Sequence, residues 1–271
     1  MCTNDIKWNA ETSARATDYR KRCYDTFVSK QWAKWIEITP DNYELQSKLL
    51  HKRFINILPK DKNAAILDIA CGIGGFLFFL QKAGYKNAMG IDLSNESIVI
   101  ANKMGIKDVE QADMFTFLPS HREKFDMIIA SHIIEHLSKQ EILTLLDLIY
   151  ESLKPNGTVL IRTPNASSLT GIARIFLDFT HETGFTPTSL GQVLETCNFS
   201  DIMVKGEEPV FFDLKSSVRA ILWKCLKMYY KIFSLIEIGT GRGIYKFNRI
   251  YTPDIYATGT KTDTCKNNVT I

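Results

Sequence analysis

The chain lacks any C-x-x-C pair. Its six cysteines, Cys2, Cys23, Cys71, Cys197, Cys225 and Cys265, are scattered, which argues against a structural zinc site or a compact disulfide framework and fits reduced thiols. A long uncharged apolar run is also missing. The greasiest stretch, Ala220 to Ile238, is interrupted by Lys224, Lys227, Lys231 and Glu237, too many charges for a bilayer span. The opening residues MCTNDIKWNAETSAR contain no apolar segment of the secretory kind, so the expected location is cytoplasmic. No long block of one charge sign occurs, and 33 Lys+Arg against 30 Asp+Glu leave a formal +3. That is a weak electrostatic footprint, and no nucleic-acid partner is expected. With 15 Gly and 8 Pro in 271 residues, collagen and low-complexity chains are excluded. What remains is ordinary globular composition, 45% apolar, with length for one large domain or two small ones.

The first 58 residues read as helical, with a Thr39-Pro40 start and Leu45, Leu49, Leu50, Phe54 and Leu58 near helical spacing. From Ala64 the pattern changes to short apolar runs alternating with helical stretches: AAILDIA, GGFLFFLQKAG, NAMGID, SNESIVIANKMG, KDVEQAD. Such alternation predicts βαβ units and a parallel sheet. KFDMIIAS continues as a fourth strand, Ser138 with Glu141 forms a capping box, and the helix it opens is expected to end near Lys154-Pro155-Asn156-Gly157. TVLIRTP is a fifth strand, Pro187 to Cys197 a helix, and Asp201 to Lys205 and DIYATGTK the last two strands. The expected organisation is a helical extension over 1–58, a ligand-binding core over 59–206, a helical insertion over 207–250, a returning strand over 251–262 and a tail over 263–271.

In an open parallel sheet, ligands lie beyond the carboxyl ends of the strands, near the topological switch point. After the first strand stands Asp68-Ile-Ala70-Cys-Gly72-Ile-Gly74-Gly75, whose glycines allow a tight turn and a close approach to backbone N–H groups. After the second comes Asp92, twenty positions beyond Gly72, where a carboxylate can accept from both hydroxyls of a ribose. After the third come Asp113 and Met114, suited to an adenine amino group and ring face. The glycine spacing departs from the dinucleotide fingerprint, because the third position counted from Gly72 and Gly74 is Leu77. An acid at Asp68 would repel a pyrophosphate. It suits a ligand with a cationic amino acid moiety, which favours S-adenosylmethionine over NAD.

Together ILDIACGIGGF, GIDLS, QADMF, FDMIIASHIIEHL and LKPNGTVLIRTPN resemble the five motifs of class I S-adenosylmethionine-dependent methyltransferases, over about Asp61 to Lys205 plus the last strand. The resemblance implies a Rossmann-like doubly wound α/β fold, seven-stranded and mostly parallel with an antiparallel last strand. It also implies S-adenosylmethionine as cofactor and S-adenosylhomocysteine as product. By that analogy Asp68, Ala70, Gly72 and Gly74 hold the methionyl portion, Asp92 and Leu93 the ribose, and Asp113 and Met114 the adenine, while Ser131 or His132 lines the methyl site. Ala70 stands where glycine is commonest in the family.

For the acceptor, the tetrad typical of base-amine methyltransferases is absent: its place reads Ala130-Ser131-His132-Ile133. A sugar hydroxyl must lose a proton as the methyl arrives, which calls for a base among His132, Glu135, His136 and His181. The polar stretch around His181 and the insertion rich in Trp, Lys and Tyr look like sugar O-methyltransferases of capsule and O-antigen pathways. The expectation is therefore a sugar or nucleotide-sugar acceptor, with His181 as the preferred base.

His132-Ile-Ile-Glu135-His136 would share one face if helical. It permits three readings: a metal hydrolase built on H-x-x-E-H, a divalent-metal site like that of quinone-precursor O-methyltransferases, or a hydrogen-bonded loop with His132 alone at the methyl site. A non-catalytic subunit is a further alternative. In the insertion, apolar residues from Ile221 to Phe233 sit at helical spacing beside Lys224, Lys227 and Lys231. That pattern fits core, a subunit interface such as a homodimer, or peripheral contact of 216–238 with an anionic membrane.

Overall fold

The apolar runs of this chain do not alternate with polar residues, so they can be satisfied only by strands covered on both faces. In the computed structural model, which describes residues 23, 37–211, 214–238 and 250–262, they are so covered. Five strands, β1 (Ala65–Ile69), β2 (Asn87–Asp92), β3 (Val109–Gln111), β4 (Phe125–Ser131) and β5 (Leu153–Pro164), run parallel, and β6 (Ser200–Gly206) and β7 (Asp254–Thr260) complete a seven-stranded sheet of order β3-β2-β1-β4-β5-β7-β6. β7 is antiparallel to both β5 and β6. The described helices are α1 (Pro40–Phe54), α2 (Gly75–Lys82), α3 (Asn95–Lys103), α4 (Met114–Phe117), α5 (Lys139–Ser152), α6 (Gly171–Ile175), α7 (Pro187–Thr196) and α8 (Leu214–Ile238). The chain leaves β1 towards β2 and β3, then returns to place β4 on the other side of β1. The switch point thus falls between β1 and β4.

Side chains alternate across each strand and divide the core in two. Leu67, Ile69, Ile128, Ala130, Val159 and Ile161 face α5 and α7 through Leu145, Ile149, Leu190 and Leu194. Ile66, Met127, Ile129 and Leu160 face α1 and α2 through Phe54, Phe76, Leu77 and Leu80. α1 begins at Pro40 behind the Thr39 cap and closes over the glycine turn, where the Tyr43 hydroxyl donates to the Ile73 carbonyl at 2.7 Å. Phe54 packs near Phe76 and edge-on to Tyr256, with ring centroids 5.7 and 5.2 Å apart. The rest of the expected N-terminal helical segment, apart from Cys23, lies outside the described residues up to 36.

The expected capping box forms at Ser138 with Glu141, and a second, not foreseen, forms at Thr186 with Ser189 where the helix was expected to start. α5 stops earlier than expected. Its last residue is Ser152, and Leu153 already pairs with Phe125, so Lys154 to Gly157 belong to β5 rather than to a helix end. β3 is three residues long because α4 starts directly behind Asp113, which caps it by accepting from the Phe115 N–H at 2.7 Å. The insertion helix is described over Leu214–Ile238, and residues 239–249 of the expected insertion are not among the described residues.

In the turn after β1, Ala70 holds φ +52°, beside Gly72 at +56° and Gly74 at +81°. The Cβ of an L-residue is strained there by about 1 kcal/mol. Ala70→Gly is expected to raise stability by up to about 1 kcal/mol, a rise in Tm of a few degrees in a thermal melt. An unchanged or lower Tm would show that the strain is relieved elsewhere in the turn.

Candidate active site

The carboxyl ends of β1, β2 and β4 converge at the switch point. Asp68 pairs in register with Gly90 of β2 and Ile129 of β4, which buries its carboxylate in the sheet. Its Oδ1 is buried with no hydrogen-bond partner. Burial, reinforced by the charge of Asp92 and only partly offset by Arg162, pushes the Asp68 carboxyl up to about 8. Asp92 is also pushed up, chiefly by burial, and its two oxygens accept from the backbone N–H groups of Gly72 and Ser94, each at 2.8 Å. Gly72 has open space where a Cβ would lie, whereas a Cβ on Gly74 would meet Ile106 at 2.7 Å and one on Gly75 would meet Gln46 at 2.5 Å. The first glycine therefore leaves room for a ligand, and the other two allow helix packing.

Of the remaining residues expected at a cofactor, Leu93 is exposed, with its carbonyl accepting from Gln111 Nε2 at 3.1 Å. Asp113 and Met114 stand half-buried at the start of α4. Ser131 Oγ accepts from Arg162 Nη1 at 2.8 Å. Arg162 itself was missed in the sequence, although a charge inside the apolar run TVLIRTP was a signal. Glu207 binds it through two bonds of 2.6 and 3.0 Å and takes a third from Arg53 of α1 at 2.7 Å. Burial opposes both charges, but Glu207 raises the Arg162 pKa, and the two arginines carry the Glu207 carboxyl below the usual carboxylate range.

Beyond β4 the chain does not continue as a helix, so the expected single face of His132, Glu135 and His136 is not formed. His132 takes φ +55°, and a 3₁₀ turn covers Ile134–His136. His132 Nδ1 lies 3.2 Å from Glu135 Oε1, while Thr163 Oγ1 donates to Oε2 at 3.0 Å. Burial alone would raise the Glu135 carboxyl; the hydrogen bond and charge of His132 with the charge of His136 bring it below its ordinary value. A carboxylate can only accept, so His132 carries its proton on Nδ1 and offers Nε2 as base. Its side chain is 37% exposed.

His136 turns away from His132. Its Nδ1 meets Thr180 Oγ1 at 2.8 Å and its ring stands edge-on to His181, centroids 4.5 Å apart. Burial lowers the His136 pKa against the pull of Glu135, keeping the ring neutral near neutral pH. His181 is half-buried with Nδ1 2.8 Å from the Ile175 carbonyl. The metal-ligating group anticipated as His132, Glu135 and His136 is thus regrouped: donor atoms of Glu135, His136 and His181 lie within 4.8 Å of one another. His132 is not part of that cluster, although its Nδ1 meets Glu135 Oε1.

A buried carboxylate with an unpartnered oxygen, an open glycine and a second carboxylate twenty residues beyond it meet at the switch point, which is the arrangement expected of a receptor for an α-ammonium group and a ribose. A family model described as a methyltransferase domain matches residues 42–204. The chain belongs to this family.

Among curated relatives, phosphoethanolamine N-methyltransferase of Plasmodium falciparum is 23% identical over 68% of this chain and 71% of its own length. Cyclopropane-fatty-acyl-phospholipid synthase of Escherichia coli K12 is 26% identical over 54% of this chain, and phosphoethanolamine N-methyltransferase 1 of Zea mays is 28% identical over 60%. The chain spans only 37% and 33% of those two proteins. The crystal structure of a SAM-dependent methyltransferase from Archaeoglobus fulgidus superposes with a TM-score of 0.58 at 24% identity, covering 79% of this chain and 94% of that one. Haemonchus contortus phosphoethanolamine N-methyltransferase 2, solved with S-adenosylhomocysteine, gives 0.54 at 20% identity over 80% and 52%. These likenesses establish the fold.

The methyltransferase domain takes S-adenosylmethionine as its cofactor, and the buried, unpartnered Asp68 Oδ1 is the atom expected to meet the methionyl ammonium. An ammonium binds the ionised carboxylate, yet below about pH 8 most of the empty domain carries Asp68 protonated. Affinity for S-adenosylmethionine is therefore expected to rise with pH below the Asp68 pKa, by less than about tenfold per unit, and to pass through a maximum as the ligand's own α-ammonium loses its proton at about pH 8 and above. Calorimetric titration between pH 6 and 9 checks this, and Asp68→Asn should weaken binding and flatten the slope. A pH-independent affinity in the unaltered domain would remove Asp68 from the ammonium site.

Proposed function

We propose that the chain transfers a methyl group from S-adenosylmethionine to a hydroxyl oxygen of a sugar, in a surface-polysaccharide pathway, with His132 as general base. S-adenosylmethionine supplies an already activated sulfonium methyl group. The protein's part is then alignment and proton removal. The observation that carries the reading is the His132–Glu135 pair: a half-exposed imidazole directly beyond β4, oriented at 3.2 Å by a buried carboxylate that Thr163 also binds. A carboxylate in this position fixes the tautomer with Nε2 basic and stabilises the imidazolium after it takes the hydroxyl proton. His181, the base first expected, has its Nδ1 on a backbone carbonyl and its ring against His136, so we assign it to the histidine cluster instead.

The relatives named above bear on phosphoethanolamine and on fatty-acyl phospholipid. For a phosphorylated amine the rim should offer cations, but Arg162 is paired with Glu207 and Arg174 with Asp254 at 2.6 Å. This supports a neutral hydroxyl. His132→Ala should lower kcat by about 10² to 10⁴-fold while leaving cofactor affinity unchanged, and Glu135→Gln should lower it less. The assay is mass spectrometry for a one-methyl gain on nucleotide-linked and lipid-linked hexoses, heptoses and uronic acids, with phosphoethanolamine alongside. Turnover unaffected by His132→Ala would remove the base, and a gain on phosphoethanolamine alone would replace the sugar.

Where the acceptor is met is suggested by α8. Lys215, Arg219, Lys224, Lys227 and Lys231 face a single acid, Glu237, in its sequence. Ile221, Leu222, Met228, Ile232, Phe233 and Ile236 are exposed, while Ala220 and Tyr230 are buried. The helix is held by Trp223 and Lys227 to Glu208 and by Tyr230 stacked on Tyr251. Among the described residues no helix is long and apolar enough to cross a membrane. Basic and apolar exposure on one helix fits adsorption to an anionic bilayer, where a lipid-linked glycan would be presented. Sedimentation with phosphatidylglycerol vesicles is expected to carry the protein down at low salt. Lys224→Glu with Lys231→Glu should weaken that binding by about tenfold or more, whereas failure to sediment, with a concentration-dependent dimer instead, would assign the face to a second copy.

A further inference from the structure

Asp68 can hold an ammonium only as the carboxylate, and it is 1% exposed. The groups that act on it come from several elements. Asp92 at the end of β2 opposes its charge, and the Cys71 thiol lies in the turn after β1 with Tyr43 of α1 beside it. Among the described residues the cation that acts on Asp68 is Arg162 of β5. We propose that Arg162 is a positioning residue for the cofactor, acting on Asp68 by its charge and on the end of β4 by its hydrogen bonds, and that Glu207 sets how much of that charge Asp68 feels. This role rests on Asp68 being the ammonium site.

The strand registers put the two groups on one face of the sheet. Asp68 pairs with Ile129 of β4 and Arg162 with Ser131, and side chains alternate, so Asp68, Ser131 and Arg162 share the face of Ile66, Ile129 and Leu160. β1 and β5 flank β4 and are therefore roughly 10 Å apart. Phe54 and Phe76 belong to the same face, with ring centroids 5.2 and 6.0 Å from Arg162 Cζ. The Arg162 side chain is 11% exposed, and charges so enclosed are screened far less than at a surface. Its bonds hold the end of β4: Nη1 donates to Ser131 Oγ at 2.8 Å, and its carbonyl accepts from the His132 N–H at 2.9 Å. Glu207 accepts from Nε and Nη2, so its charge cancels part of the guanidinium's field at Asp68. Arg53, His132, Asp254 and Tyr256 are the other titratable groups around this pair. Arg162 and Glu207 thus act on Asp68 with opposite sign, although each supports the same local structure.

The test follows the Asp68 carboxyl in the full-length chain by carbon NMR on isotope-labelled aspartate, the resonance being assigned with Asp68→Asn, and S-adenosylmethionine affinity at pH 7 by calorimetry. Arg162→Gln should move the titration midpoint of Asp68 upward by about half a pH unit or more and weaken affinity about threefold or more. Glu207→Gln should move the midpoint downward and tighten affinity by about the same factor. Arg162→Lys keeps the cation and should leave the midpoint near that of the unaltered chain. A merely structural role would weaken binding in both Gln variants and leave the midpoint in place. Thermal melts report folding, and where Arg162→Gln does not fold, the contrast of Glu207→Gln with Arg162→Lys decides. Midpoints that stay in place, or that move the same way in both Gln variants, overturn the proposal. Midpoints that move as expected while affinity stays constant remove Asp68 from the ammonium site, and Arg162 then has no part in cofactor binding.

Discussion

The rest of the site depends on a guanidinium inside the protein. Arg162 emerges near the carboxyl end of β5 with 11% of its side chain exposed, and a cation so largely buried persists only where its charge and its donors are met. Glu207, immediately after β6, meets both through paired bonds, and Arg53 brings α1 to the same carboxylate. The third guanidinium nitrogen, Nη1, reaches Ser131 at the end of β4. One charge pair thus fixes the relative positions of β4, β5, β6 and the helix that covers the glycine turn. It also sets the cofactor end electrostatically, since Arg162 is the group that opposes the protonation of Asp68. Without it the β1 carboxylate would be held neutral more strongly, and the receptor for a cationic amino acid would be weaker.

Glu135 occupies the corresponding position on the acceptor side. It is buried, yet its carboxyl lies below the ordinary range because His132, Thr163 and the neighbouring imidazoles compensate its charge. Its main-chain carbonyl meanwhile accepts from Glu182 and Thr183. The residue therefore joins the half-exposed His132, the proposed base, to the His136–His181 pair. Any change in charge at the His136–His181 side reaches His132 through a single carboxylate.

Much of this was legible in the sequence, and the parts that were not have a common cause. The strand runs, the acids behind β1, β2 and β3 and the cap at Ser138 are local signals, where the residue types and the spacing suffice. The regrouping at H-x-x-E-H was not legible, because it turns on one backbone angle: with His132 at φ +55° the chain enters a 3₁₀ turn and the helical face dissolves. Nor was the Arg162–Glu207 pair, whose members are 45 positions apart and meet only because β6 and β5 both flank β7. The end of α5 was misplaced for a similar reason, since Leu153 is claimed by a ladder to Phe125 that no local propensity announces.

The acceptor loop shows what such long-range constraints leave undone. Its base is anchored by Asn165, whose amide donates to the carbonyls of Ile250 and Thr252 at 2.9 Å each, and by the bonds to Glu135. Its tip carries Phe176, Leu177 and Phe179 with 80, 71 and 87% of their surface exposed. A rigid base with an apolar tip is a poor arrangement for a chain surrounded only by water, because each uncovered aromatic forgoes about 1.5–3 kcal/mol of burial. It becomes favourable when an apolar carrier or a bilayer surface covers the tip.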